Sequence, residues 1–303
     1  MTEFSFNDVL SALTHIRGGI PSQRLTSRIR LGEHRSLFFG PSNDMFDIQE
    51  YDPERDQPNA IVDIGDDEVL YARRCIEPHE IKINFLVDLS RSIDAGTNFS
   101  KRRMLLEAIG FIGATAVRYQ DPIGIVGFTD KIVLSMSPKS GVNNFYHMLK
   151  VTYDLLDQDY SNKEIPQTDF FVALDFVRRF MNRPCFIPVI SDFVDFEKIA
   201  DSSLLRTVAS KHEMIFVFLD NPMEFSNAKG LGYLRIGSLE GGRQIEVSRR
   251  KLPELEKEIR AKRRELRDNL RKMGVESVVL EYGKHFNRLF RFFERRRKER
   301  LSR

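Results

Sequence analysis

The stretch Ile81-Lys82-Ile83-Asn84-Phe85-Leu86-Val87-Asp88-Leu89-Ser90-Arg91-Ser92 decides how the rest of the chain is read. Residues 81–87 form a short apolar run rich in β-branched and aromatic side chains, which predicts a buried strand ending at Asp88. The residues that follow alternate. With that spacing Asp88, Ser90 and Ser92 converge on one point while Leu89 and Arg91 face away.

Downstream, apolar runs of strand length alternate with segments of helical period. Residues 101–119 place Met104, Leu105, Ala108, Ile109, Phe111, Ile112 and Ala116 on one broad helical face. Asp121-Pro122 breaks that helix, and residues 123–128 return as a strand. Thr129-Asp130 turns this strand into a second one over 131–136. Helices at 143–156 and 170–181, a strand at 185–190, a helix at 203–211 and a strand at 214–219 follow. This rhythm predicts an α/β fold with a mostly parallel sheet and helices on both faces.

The texture changes after that. Residues 232–247 suggest a hairpin around Gly241-Gly242, and 252–273 a long charged helix stopped by Gly274. A strand over 275–280 and a basic helix over 288–300 end the chain. Residues 1–79 offer one helix near 6–16 and short β-like pieces. Three parts result: an N-terminal segment 1–79, an α/β domain 80–248, and a helix-strand-helix extension 249–303 packed on that domain.

Composition narrows the setting. The chain has 303 residues, 24 of them Phe and none Trp, and two cysteines, Cys75 and Cys185, each at or in a strand. Two thiols make no disulfide framework and suggest a reducing compartment. No run reaches the ~18 apolar residues of a membrane span, and the first residues lack the basic start and apolar stretch of a signal peptide. A cytoplasmic protein is the expectation. The net charge of +3 hides a contrast: residues 249–303 carry 20 Lys/Arg against 9 Asp/Glu, so a basic extension sits on an acidic body. The two attract each other, or the extension meets nucleic acid or an acidic partner.

Three loops share one chemistry. In an open α/β sheet, ligands bind outside the carboxyl ends of the strands. There the chain places Asp88-x-Ser90-x-Ser92, then Thr168-Asp169 opening a helix, then Ser191-Asp192 after a strand. Asp88 and the hydroxyls are hard oxygen donors carrying little charge, a supply that suits Mg²⁺. Thr168 adds a hydroxyl, and Asp192 binds directly or through water. A site so lean in carboxylates leaves a position for an acidic side chain of a partner. It is expected to lie exposed at the sheet edge. Each loop alone reads more readily as a helix cap or turn, Thr168-Asp169 among them; their recurrence at successive strand ends is what points to a site.

The order of these loops resembles the metal-ion-dependent adhesion site of von Willebrand factor A domains. The wider chain is similar to bacterial von Willebrand A-like proteins associated with MoxR-type AAA+ ATPases, through Phe38-Phe39-Gly40-Pro41-Ser42, Tyr51-Asp52-Pro53, Ile190-Ser191-Asp192-Phe193, Lys211-His212-Glu213-Met214 and Asp220-Asn221-Pro222-Met223-Glu224. The resemblance implies a Rossmann-like, doubly wound fold. It implies Asp88, Ser90, Ser92, Thr168 and Asp192 as ligands of Mg²⁺, with Mn²⁺ or Ca²⁺ as alternatives. It also implies a chaperone-like or adaptor role beside an AAA+ ATPase, in assembly or maturation of complexes, without catalysis. Two features depart from the family: Tyr51 is not followed by a Gly-Asp pair, and the family's tryptophan is absent.

Two other readings stand beside this one. Asp88 at a strand end suits a Mg²⁺-dependent phosphohydrolase, although Ser90 stands where a second carboxylate is expected and Asp94 falls outside the alternation. The six histidines, His15, His34, His79, His147, His212 and His285, lack ligand spacing, and no nucleotide-binding or nucleophile-elbow motif follows a strand. Nucleic-acid binding would use Arg295-Arg296-Arg297-Lys298, with Phe286, Phe290, Phe292 and Phe293 as stacking platforms; at helical spacing those rings read more naturally as a packing face.

Overall fold

A computed structural model of the chain describes residues 4–14, 45–51, 61–64, 70–75, 82–90, 93, 100–118, 120–157, 168–193, 199, 202–220, 233–237, 244–248 and 252–301. The chain divides into two compact units, one of residues 28–80 and one of residues 1–27 and 81–303. In chain order the elements are α1 (Phe6–Thr14), β1 (Met45–Glu50), β2 (Ile61–Ile64), β3 (Leu70–Cys75), β4 (Ile83–Asp88) and α2 (Ser100–Arg118). Next come β5 (Ile123–Phe128), β6 (Ile132–Lys139), α3 (Val142–Asp157), α4 (Phe170–Phe180), β7 (Phe186–Ser191), α5 (Ser203–Lys211) and β8 (Glu213–Asp220). The last are β9 (Tyr233–Gly237), β10 (Gln244–Ser248), α6 (Leu252–Lys272), β11 (Glu276–Glu281) and α7 (His285–Leu301).

The smaller unit holds an antiparallel sheet in the order β1-β3-β2. The larger holds a six-stranded sheet, β11-β8-β7-β4-β5-β6, in which only the β5–β6 pairing is antiparallel. The expected mixed α/β architecture with a mostly parallel sheet is therefore present. β9 and β10 pair as the expected hairpin. Among the described residues no helix is long and apolar enough to cross a membrane.

Both faces of the sheet are covered, which is why β4, β5 and β7 are buried along their whole length. One face packs Leu86, Val126, Ile187, Val189 and Phe216 against Phe170 and Leu174 of α4, Leu205 of α5 and Leu266 and Leu270 of α6. Alternate strand residues point the other way. There Phe186 meets Phe293 of α7 with ring centroids 6.4 Å apart, and α2 contributes Met104, Leu105, Ala108 and Ile109 to the core. α1 lies against α2 so closely that a Cβ on Gly110 would come within 2.5 Å of Leu13. Ser5 and Asp8 start α1 with reciprocal backbone-to-side-chain bonds of 2.7 and 3.2 Å.

One element is longer than the sequence reading gave: β6 runs on to Lys139, through Pro138, instead of ending at 136. A proline is tolerated because β6 is an edge strand and needs no donor on its outer side. α6 ends at Lys272, and Gly274 at φ +70° caps it: Gly274 N donates to Arg271 O and Val275 N to Leu270 O.

The strand order positions everything that follows. From β4 the chain crosses to β5 on one side, and later returns to β7 on the other. The carboxyl ends of β4 and β7 are thus neighbours from which the connections depart in opposite directions, the topological switch point of an open sheet.

Candidate metal site at the strand ends

β4 ends on Asp88, and its carboxylate gathers both loops of the switch point. Oδ1 accepts a bond from the Ser90 backbone N–H at 2.8 Å, a local turn of the kind Asp favours. Oδ2 accepts the Ser191 hydroxyl at 2.7 Å from the end of β7. Ser191 Oγ in turn accepts the Phe193 N–H at 3.0 Å. Phe193 sits at φ +49°, a left-handed conformation costly for a bulky residue. Its ring holds it there, with centroids 5.2 Å from Phe216 and 4.4 Å from Phe218. Asp192 is consequently pinned between a bonded serine and a packed phenylalanine.

Leu89 faces away from the carboxylate, as its alternate position predicts. Its N–H donates to Phe128 O at 2.9 Å, and its side chain lies over Gly127, where a Cβ would come within 2.5 Å. The glycine makes room for the turn that presents Asp88 and Ser90.

The site is not exposed, and the expectation of an open sheet-edge site is corrected here. Asp88, Ser90, Ser191 and Asp192 are at most 3% accessible. The switch point falls between two central strands, so the carboxylates turn inward against each other. Burial, and next the nearby Asp192 charge, push the Asp88 carboxyl up to about 6, against the pull of donors from Ser90 and Ser191.

A further charge belongs to this cluster: Lys101 Nζ lies 3.1 Å from Asp192 Oδ2, with both side chains buried. Sequence reasoning took Lys101 only as the start of a helix. Its signal was available, because Lys101 precedes Met104 and Leu105 by three and four positions and so continues the buried face of α2.

Thr168 is half-buried. The next residue, Asp169, donates its N–H to Thr129 O at 3.0 Å, which docks this loop on the end of β5 beside β4. Asp169 also caps α4 by accepting the Phe171 N–H at 2.9 Å. The capping role thus falls to Asp169 and leaves Thr168 outside the cap. Ser92, with Arg91 and Asp94, lies outside the described residues. The structure accordingly brings together Asp88, Ser90 and Asp192, adds Ser191, and sets Thr168 at the adjoining strand end.

No three His, Cys, Asp or Glu side chains gather as a metal-binding group among the described residues, so a cation here needs hydroxyl ligands. The residues fit one. Asp88, Ser90 and Ser191 are hard oxygen donors, and the formal charge of Asp88, Asp192 and Lys101 together is −1. A desolvated carboxylate facing a second carboxylate is the arrangement a divalent cation relieves.

Part of the rival basic surface is occupied. In α7, Phe292 and Phe293 are buried, Arg296 is buried against Glu213 and Glu276, and Arg288 pairs with Glu281. The rings are mainly a packing face, with Phe290 the exposed exception.

The sequence matches the model of a family described as "Protein of unknown function DUF58" over residues 67–269. No curated protein matches it. Among solved structures, the conserved hypothetical protein BatB from Bacteroides thetaiotaomicron is similar at 12% identity and a TM-score of 0.40, covering 74% of this chain and 100% of that one. An aerotolerance-related membrane protein from Bacteroides fragilis, carrying multiple mutations to serines, is similar at 11% identity and a TM-score of 0.39, with coverages of 74% and 100%. Likenesses at this level carry no argument about the chemistry of the site.

Proposed function

The chain belongs to the DUF58 family, and we propose that it is a protein-binding module of von Willebrand factor A type whose contact with a partner depends on a divalent cation. The observation that carries this reading is the meeting of Asp88 and Ser90 with Ser191 and Asp192 at the switch point, oxygen donors from two neighbouring parallel strands. Asp88, Ser90 and Ser191 would hold Mg²⁺ or Mn²⁺, with Ser92 and Thr168 as further hydroxyls. The cation supplies a hard positive centre that attracts a carboxylate of the partner. The protein's own part is to fix the donors and exclude water around them. An adaptor or chaperone-like role beside a MoxR-type AAA+ ATPase, in assembly or maturation of other complexes, follows from the family resemblance and is proposed with it.

Millimolar Mg²⁺ or Mn²⁺ should raise the thermal midpoint, because an ion that binds only the folded chain stabilises it by mass action. Asp88→Asn should abolish that rise. Capture from a native lysate should recover the ATPase or its client with Mg²⁺ and lose it with chelator, and Thr168→Ala should weaken recovery. Binding that survives both chelator and Asp88→Asn would remove the metal bridge. Turnover of a generic phosphate ester that disappears in Asp88→Asn would instead make the chain a hydrolase.

A further inference from the structure

We propose that Lys101 is a built-in counter-charge of the cation site, which makes Asp192 act on the cation through its field and leaves the loaded site positive enough to prefer an acidic partner. This rests on the cation-dependent reading above and concerns how that site is regulated. Three observations carry it. Lys101 is among the largest fully buried side chains of the protein, at 1% accessible, although lysine is rarely buried without a charge to meet. Its ammonium lies 3.1 Å from Asp192 Oδ2. Asp88, by contrast, is held by the neutral N–H and O–H donors of Ser90 and Ser191, which bond its oxygens without cancelling their charge.

The two carboxylates at the switch point therefore have different duties. Asp88 faces the hydroxyls that would share a cation with it. Asp192 is already answered by an ammonium on α2. Counting Asp88, Asp192 and Lys101, the empty site is −1, and a divalent cation takes it to +1. Without Lys101 the loaded site would be neutral. It would hold the cation more tightly and attract a carboxylate less. Lys101 thus trades cation affinity for affinity towards an acidic ligand.

The test uses the full-length chain and Mn²⁺ alone, with free Mn²⁺ read by electron paramagnetic resonance. Asp192→Asn makes the empty site neutral and should weaken Mn²⁺ by roughly tenfold or more, since a buried charge nearby is worth at least that factor. Lys101→Met/Asp192→Asn restores −1 and should return affinity to within about threefold of the wild type. Lys101→Met alone should tighten Mn²⁺ by roughly tenfold; should that variant fail to fold, the other two decide the matter. A double variant as weak as Asp192→Asn would make Asp192 a direct ligand and overturn the proposal. A merely structural Lys101 would lower the melting temperature in chelator without reordering these affinities, which also overturns it. The acidic-ligand half is read with acetate on the Mn²⁺-loaded protein, through relaxation of its methyl protons. Binding should weaken in Lys101→Met, and unchanged or tighter binding overturns that half. A wild type that ignores Mn²⁺ altogether removes the cation-dependent reading itself, so the two failures are distinguishable.

Discussion

Two clusters of buried charge among the described residues are built differently. Under α7, Arg296 is buried against Glu213 on β8 and Glu276 on β11, and the rings of Phe186, Phe292 and Phe293 lie beneath the guanidinium at 5.6 to 5.9 Å. His285 Nε2 approaches Glu107 Oε2 at 2.7 Å on the same side of the sheet. These groups sit on regular elements, and at Arg296 opposite charges meet directly. At the switch point the groups sit on strand ends, and Asp88 meets hydroxyl and amide donors while a second carboxylate stands nearby. The first arrangement closes on itself and joins the extension to the sheet. The second keeps a carboxylate under electrostatic load, a load that a bound cation would relieve.

The comparison breaks most directly at Arg296. Arg296→Met removes the cation paired with buried Glu213 and should cost about 3–5 kcal/mol in urea unfolding. Arg296→Met/Glu213→Gln should recover most of it. A loss below about 1 kcal/mol would show the pair to be idle and erase the contrast.

The switch point should reveal its load through pH. Asp88 titrates near 3.8 when unfolded and about 6 when folded, so the metal-free native state holds a proton that the unfolded chain has released. Stability therefore falls as pH rises from about 4 to about 6 and is level above that, by about 3 kcal/mol in all. Asp88→Asn should remove that fall in urea titrations across this range. His212 provides the opposite slope. It is buried, neither ring nitrogen has a hydrogen-bond partner among the described residues, and burial, aided by Lys211, lowers it from 6.5 to about 4. Its contribution is present above pH 6.5 and is lost as pH falls towards 4, so His212→Phe should flatten the acid limb alone.

A smaller effect should follow from Gly127→Ala. The added methyl would meet Leu89 at 2.5 Å and Leu134 at 3.0 Å, costing about 1–3 kcal/mol as an overpacked site. It should also blunt the Mn²⁺ response more than its stability loss explains, because Leu89 anchors the Asp88–Ser90 turn. Least of all should change in Phe290→Ser. That ring is 44% exposed on α7, and its loss should stay within about 0.5 kcal/mol.

How much of this was legible in the sequence follows from periodicity. β5 and α5 fall where their patterns put them, because an apolar run between Pro122 and Thr129, or a helical period over 203–211, is local information. The oxygen cluster was legible for the same reason: Asp88, Ser90 and Asp192 sit at the ends of readable strands. Which donor bonds which was not. Ser191 bridges to Asp88 and Lys101 to Asp192 across separations of 103 and 91 residues, and pairing at that range is decided by strand order. The burial of the site escaped notice for a related reason. A strand end reads as surface until the strand is known to be central.

That separation has a consequence for when the site exists at all. β5 and β6 pair through a short turn and β4 and β5 across the α2 crossover, whereas β7 must come back across some hundred residues to lie beside β4. Closing that longer loop costs somewhat more entropy and is slower than the nearer pairings. Until it happens, Asp88 and Ser90 form half a cluster, with neither Ser191 to bridge them nor Asp192 to load them. On the ribosome the half-cluster precedes its completion by the whole stretch from α2 to β7. On the proposed reading, affinity for a cation would be acquired only once the sheet has closed, which would make it a mark of a finished chain.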